Sequence, residues 1–520
     1  PCPVRTSIPP PFRSATAGSV RTMAALAAAG KPQPLRVVSW NIAAINNNPF
    51  EYWISHDDAA YNSLMSDVEE FIRNPGDSDV PVHEVFTDVM FAELAKRMTA
   101  HGWDGVEETK EFWVNDFRNR RIVSGFIQDG VLGMKRLASM PDRVTNTINL
   151  ADGTQAYRPT PINCYPGTFS SFKDWWKKWT TFMFSTTLQL KIKGEVKDLK
   201  PADLLIPITQ AKYPAVNSLE ERISLPLQTT CAAIFDAIQV HMLEQVAPGT
   251  WQPLRHELSQ ALNAGKNERT LEILENAYAD ADVIFLQEVA NAFVSTMESR
   301  PGLLEKFTPI VPVTSGKRDQ NSIILIRREL LGSEASVEDV TSLLAEQFEG
   351  KKVPIAEGDL VVATAYIPSW ERKLVLASFH GDTNGLATIP VVDAVHQVMT
   401  EKLSKSGDPI SLIFGLDANT YEVGKPGKTQ DVSEFVSWLG EQGLTSCWGD
   451  TPRPQEYTTY NARTYLQPQL NKATSKSEVR AKGDVNPKDF ILFYGDQLSL
   501  TPGTSTSKDN TGQGNYVDDM

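Results

Sequence analysis

The chain reads as an α/β protein, a layered sandwich with mixed sheets rather than a barrel, on three observations. From residue 267 onward, short apolar runs alternate with stretches whose apolar residues recur three and four apart, the pattern of strands interleaved with packed helices. Two of those strands, "LVVATAYI" and "KLVLASFH", are joined only by "PSWER", which suits a hairpin and not a parallel crossover. Polar side chains stand at the tips of several strands, where α/β proteins build their sites.

The elements follow in order. At 520 residues the chain exceeds what one core usually needs, and two structural units are expected. Residues 1–34 are dominated by Ser, Thr, Ala and Pro, and the first 50 residues carry Arg5, Arg13, Arg21, Lys31 and Arg36 but no Asp or Glu. Such a stretch reads as a disordered or targeting-like tail. "LRVVSWNI", from residue 35, is a buried strand. A long region over 46–265 follows, mixed helical and irregular. "EVFTDVMFAELAKRM" and "CAAIFDAIQVHMLEQV" have helical spacing, and the aromatic, turn-rich stretch between them should be ordered but irregular. The lone histidines His56, His83, His101, His241 and His256 form no ligand pair and read as structural or exposed. "KDWWKKW" mixes basic and aromatic residues as nucleic-acid or membrane surfaces do, but so short a run is more often packing with exposed lysines.

The regular region then begins. Asn267 is placed to cap a helix through "ERTLEILENAYA". "DVIFLQE" and "SIILIRR" are strands, followed by the hairpin pair. A helix with Pro390 in its first turn runs through "IPVVDAVHQVMTEKL". "SLIFGLDANT" is a strand and loop, "DVSEFVSWLGEQG" a helix ended by Gly443, and "DFILF" a late strand. After Leu500 the chain is polar and rich in Gly, Ser and Thr, and reads as a flexible tail over 501–520.

The net charge of −14 gives no general attraction to nucleic acid, although a basic patch can sit beside an acidic site. Cys2, Cys164, Cys231 and Cys447 are far apart, with neither a disulfide framework nor metal-ligand spacing. A reducing, intracellular compartment is the default expectation, cytoplasmic or organellar. No apolar stretch is long enough for a transmembrane segment.

The chemistry lies at the strand tips. Asn41 ends the first strand, Gln287 and Glu288 end "DVIFL", His380 ends "LVLASF", Asp417 and Asn419 follow "LIFG", and Asp489 precedes "FILF". Phosphoester hydrolysis needs a hard cation on the phosphoryl oxygens, a base for water and donors for the developing charge. Glu288 and Asn41 offer metal ligands, Asp417 can orient or deprotonate water, Asn419 can contact phosphate, and His380 can donate to a phosphate oxygen.

In order, "SWNI", "DVIFLQEV", "LASFH", "GLDANT" and "KDFILF" resemble the signatures of the endonuclease/exonuclease/phosphatase superfamily. The resemblance spans residues 35–45 and about 267–495. It implies a four-layer α/β sandwich of the DNase I-like type, dependent on Mg2+ with Mn2+ as an alternative. On that likeness 35–45 is the first strand of a catalytic domain, 266–500 its remainder, and 46–265 a large, mainly helical insertion. Glu288 matches the principal metal ligand and Asn41 the first-motif asparagine. His380 matches a mid-domain histidine, Asp417 and Asn419 the paired acid and amide, and Asp489 an aspartate that orients a histidine. Asn321 corresponds loosely to a substrate-side asparagine.

Two departures accompany the likeness. More than 200 residues separate the first two motifs, so the insertion could form a substrate lid or a protein-docking domain. The family's terminal Ser-Asp-His motif is absent, and the expectation is that it and a closing strand lie beyond Met520. The function expected is a Mg2+-dependent phosphoesterase, a phosphodiesterase or nuclease acting by direct attack of water on phosphorus. Its substrate is a phosphoester, with nucleic acid slightly favoured. A lipid or inositol-phosphate substrate, or an inactive binding scaffold on the same fold, is the alternative.

Overall fold

The computed structural model describes residues 20–25, 34–51, 58–192, 194–312, 320–332, 336–404, 409–450, 458, 466–467, 486–500 and 506–508. The expectations for Cys2, His56 and most of the two tails lie outside these residues. The chain divides into two compact units: Pro1–Ile45 with Gly265–Ala462 and Lys482–Met520, and Asn46–Ala264 with Arg463–Ala481.

Along the chain the strands are β1 (Val20–Ala25), β2 (Leu35–Asn41), β3 (Thr147–Asn149), β4 (Gln155–Tyr157), β5 (Leu188–Ile192), β6 (Glu195–Leu199), β7 (Val283–Val289) and β8 (Phe307–Ile310). They continue as β9 (Asn321–Arg327), β10 (Val337–Asp339), β11 (Leu360–Ile367), β12 (Arg372–His380), β13 (Ile410–Asp417), β14 (Leu444–Ser446), β15 (Asp489–Tyr494) and β16 (Thr506–Lys508). The first unit holds two six-stranded sheets, ordered β16-β1-β2-β7-β9-β8 and β10-β11-β12-β13-β15-β14. Both are mixed. β2 runs parallel to β7 and β12 parallel to β13, while the other pairings are antiparallel, including the β11–β12 hairpin.

Side-chain alternation gives each sheet two apolar faces. On β7, Val283 and Phe285 join a core with Val361, Ala363, Leu374, Leu376, Ile413 and Ile491 of the other sheet. Ile284 and Leu286 instead meet Leu271 and Leu274 of the helix Lys266–Asn276 and Phe293 of the helix Asn291–Glu298. On the second sheet, Val375, Leu412 and Phe490 pack with Val391 and Val395 of the helix Thr388–Val398 and Phe435 of the helix Val432–Glu441. A strand apolar on both faces is central, which is why "VIFL" reads as an unbroken run.

Some expected boundaries shift. The helix expected after Asn267 begins at Lys266, so Asn267 lies inside it and Gly265 takes the cap position. The helix expected through "EVFTDVMFAELAKRM" is broken: Val82–Val85 and Asp88–Ala100 are separate, because the Thr87 hydroxyl accepts from the Met90 amide and starts a new helix. Two short strands fall within the stretches read as tails, β1 and β16, which pair antiparallel.

The second unit is built around the helix Ser224–Val246, apolar on nearly every face and therefore buried. Its Asp236 is fully buried and accepts from Arg158 Nε at 2.8 Å, Thr160 Oγ1 at 2.9 Å and Trp179 Nε1 at 2.8 Å. Arg158 also donates to Asp142 Oδ1 at 2.7 Å. Trp175, Trp176 and Trp179 of "KDWWKKW" are buried, so this run is packing. Among the described residues no helix is long and apolar enough to cross a membrane.

Candidate active site

Strand register gathers the predicted residues. His380 on β12 stands opposite Asp417 on β13, and Asp417 opposite Asp489 on β15, at one end of the second sheet. In the first sheet Asn41 on β2 pairs with Gln287 on β7, and Asn321 on β9 with Val289, one residue beyond Glu288. Asn321 is buried and donates Nδ2 to the Val289 carbonyl at 3.3 Å. Six of the seven predicted residues thus lie at strand ends within one unit, and Asn419 lies two residues beyond β13 in the same unit.

Hydrogen bonds join the two sets. Asn41 Nδ2 donates to Glu288 Oε1 at 3.1 Å and to Asp417 Oδ2 at 2.8 Å, linking a carboxylate of each sheet. Asn41 Oδ1 accepts from the Ala43 amide at 2.7 Å. His380 Nε2 lies 3.2 Å from Glu288 Oε1 and 3.4 Å from Asn419 Nδ2. Asn419 donates Nδ2 to the Gly381 carbonyl at 3.0 Å, and its amide donates to Asp417 Oδ1 at 2.9 Å.

Burial opposes charge on both His380 and Glu288. Their contact overrides it, holding the imidazole well above its ordinary pKa and the carboxyl well below. Asp417 and Asp359 add to the pull on His380. The arrangement offers an imidazolium donor, carboxylates of two sheets and amide donors around one point.

Backbone strain concentrates here. Of the six non-glycine residues with positive φ among the described residues, four belong to this site: Ala43 (57°), Ala44 (36°), Glu288 (52°) and Asn419 (49°). Each such conformation costs of order 1–3 kcal/mol and persists where surrounding contacts over-determine it. At Glu288 the β7–β9 register also shifts, between Leu286 and Val289. The Ala44 amide donates to the Glu288 carbonyl at 2.9 Å, so the turn after β2 is tied to the strained carboxylate residue.

The sequence assigns no role to several supporting residues, although Gln287 stands in it as a polar strand tip. Gln287 is fully buried and donates Nε2 to Ser378 Oγ at 3.1 Å and Ser39 Oγ at 3.3 Å, a polar clamp between the sheets one or two positions before Glu288, Asn41 and His380. A Cβ on Gly415 would lie 2.4 Å from the Phe285 ring, so this glycine permits close approach of the sheets. Gly385 (φ 70°) passes so near that a Cβ would meet Asn419 O at 2.7 Å. Lys266 Nζ donates to the Ala43 carbonyl at 3.1 Å; burial lowers its pKa to about 8, against the pull of Glu288. Ser39, Ser378 and Gly415 have a sequence signal in their places two residues before a polar strand tip, and Gly385 has none. Lys266 has none, lying more than 200 residues from Ala43.

Among the described residues no group of three or more His, Cys, Asp or Glu is arranged to hold a metal. In comparisons with known proteins, a family model described as a domain of unknown function (DUF8234) matches residues 79–256. No curated protein matches the chain. Three solved structures are similar to part of the chain. One is the endonuclease domain of TRAS1, a telomere-specific non-LTR retrotransposon, at 16% identity over 44% of this chain and 82% of that one, TM-score 0.26. Another is TDP2 of D. rerio complexed with single strand DNA product, at 15% identity over 44% and 77%, TM-score 0.28. The third is the human Nocturnin catalytic domain with bound sulfate anion, at 13% identity over 46% and 80%, TM-score 0.25. Likeness at this level assigns no activity, and the chemistry must be argued from the side chains.

Proposed function

We propose that the first unit is a metal-dependent phosphoesterase on a four-layer, DNase I-like sandwich, hydrolysing a phosphodiester by direct attack of water, with nucleic acid as the first substrate to test. The observation that carries this reading is the Asn41 amide bridging Glu288 and Asp417 across two sheets, with His380 against the same Glu288 oxygen. Two strand-tip carboxylates bridged by one amide and faced by one imidazole serve a ligand more readily than a fold.

The donor set fits Mg2+ or Mn2+. Both accept hard oxygen ligands, and Mg2+ is commonly held by one or two carboxylates plus water and substrate phosphate rather than by a protein cage. Glu288 is the ligand we assign. Asn41, expected as a second ligand, turns its Nδ2 to the carboxylates and gives Oδ1 to Ala43, so we assign it to bridging. When bound, the ion neutralises charge on the phosphoryl oxygens. Asp417 orients the attacking water and takes its proton. His380, as imidazolium, donates to a phosphate oxygen, and Asn419 adds an amide donor. Asp489, beside Asp417 in register, supports that end of the site, and Asn321, bonded to the Val289 carbonyl, is the residue we assign to the substrate side. The second unit is a candidate substrate lid or protein-docking domain.

The test is incubation of the full chain with labelled DNA, RNA, phospholipid and inositol phosphate, in Mg2+ or EDTA. EDTA-sensitive product from one class supports the reading and names the substrate; no such product from any refutes it. Glu288→Gln should cost activity at least about 100-fold, as loss of a principal charge-stabilising group does. Glu298→Gln, on the exposed end of the next helix, is the control and should cost almost none.

A further inference from the structure

We propose that Lys266 is a positioning residue of this site, a resident cation that clamps the strained turn after β2 and offsets the negative charge around Glu288. The inference rests on the metal-binding reading above. Ala43 and Ala44 both hold left-handed φ values, 57° and 36°. Three contacts fix them: Asn41 Oδ1 accepts from the Ala43 amide, Glu288 O accepts from the Ala44 amide, and Lys266 Nζ donates to Ala43 O. The turn therefore connects the bridging Asn41 to Glu288, and the lysine closes it from the first residue of the helix Lys266–Asn276.

A neutral amide could satisfy one carbonyl at far less desolvation cost than a half-buried ammonium. What the ammonium adds is charge. Glu288 acts on it electrostatically, while among the described residues no carboxylate pairs with it directly. Its charge is thus shared with the site and not consumed by a private partner. A fixed positive charge there weakens binding of a divalent cation to the free enzyme and favours joint entry with a negatively charged substrate.

The two roles separate by substitution. Lys266→Gln keeps a donor for Ala43 O without the charge, and Lys266→Arg keeps the charge. Mn2+ binding to the full chain, without substrate, is read by calorimetry and by electron paramagnetic resonance. Lys266→Gln should bind Mn2+ about tenfold more tightly than wild type, and Lys266→Arg with wild-type affinity. A purely structural lysine predicts unchanged or weaker binding, because Gln at best preserves the turn. Lys266→Gln binding equal to or weaker than wild type overturns this inference while leaving the phosphoesterase reading intact, provided Glu288→Gln still abolishes binding. If wild type binds no Mn2+, or Glu288→Gln binds it as wild type does, the metal assignment and this inference both fall.

Discussion

Replacing Gln287 by Leu should cost unit 1 about 2–4 kcal/mol, although Leu nearly matches the volume and the position is fully buried. The magnitude comes from the clamp. Gln287 Nε2 donates to Ser378 Oγ at 3.1 Å and to Ser39 Oγ at 3.3 Å. Two buried hydrogen bonds contribute about 1 kcal/mol each. Ser378 keeps a partner, since its Oγ donates to the Leu286 carbonyl at 3.2 Å. Ser39 loses Gln287 as partner on both counts, as acceptor and as donor at 3.5 Å, and leaving its hydroxyl unsatisfied adds about 1–2 kcal/mol. The assay is amide hydrogen exchange of peptides covering β7 and β12, whose core amides exchange through global opening. Exchange should quicken about 30- to 1000-fold. Adding Ser39→Ala to Gln287→Leu removes the stranded hydroxyl and should recover about 1 kcal/mol, a non-additivity that a double-mutant cycle isolates. Exchange within a factor of two of wild type, or strictly additive costs, would refute the clamp.

Three more expectations follow from the same geometry. Gly415→Ala forces a Cβ to within 2.4 Å of the Phe285 ring and should destabilise by about 1–3 kcal/mol, with Phe285→Leu restoring part of the loss in thermal unfolding. Asp236→Ala takes two bonds and one of two counter-charges from the buried Arg158 guanidinium and should cost about 3–5 kcal/mol by Trp fluorescence in urea, much more than Asp142→Asn, whose carboxylate takes only one of the arginine's bonds. Burial raises Asp142 to about 6, above its ordinary 3.8, despite Arg158, so its contribution is full below pH 3.8 and lost as pH rises through about 6. Wild type should therefore lose stability relative to Asp142→Asn between about pH 4 and pH 7, and a gap constant with pH would remove Asp142 from the account.

The strands of the first unit were legible because most are buried on both faces, and "VIFL", "IILI" and "LIFGL" are apolar regardless of which side points where. The tips were legible for the opposite reason: Glu288 and Asp417 interrupt such runs with groups that need a partner. β1 and β16 escaped because the apolar end of "VRTMAA" is mostly alanine, a poor strand former, and "TSK" has no apolar residue. The broken helix at Thr87 escaped because its apolar spacing continues across the break, and spacing does not register a cap that restarts the helix. Lys266 escaped because its meaning depends on Ala43, a neighbour only in space. Gln287 was visible as a polar tip, but its inward direction toward Ser39 and Ser378 depends on the partner sheet.

β2 and β7 are parallel neighbours with roughly 240 residues of chain between them. Closing so long a loop costs about 2 kcal/mol more in chain entropy than a crossover of roughly twenty residues. The second unit removes that handicap if it forms first, because its own ends meet: the Asn46 amide donates to Leu262 O at 3.3 Å and Asn263 Nδ2 to Asn47 Oδ1 at 2.7 Å. Folded, it leaves an effective connection of roughly twenty-five residues, 42–46 and 263–282, between the two strands. During synthesis β2 must wait for β7 for on the order of 10–50 s at ribosomal rates. The order of assembly then runs inside out, with the interrupting unit completing itself before the sheet it interrupts can close.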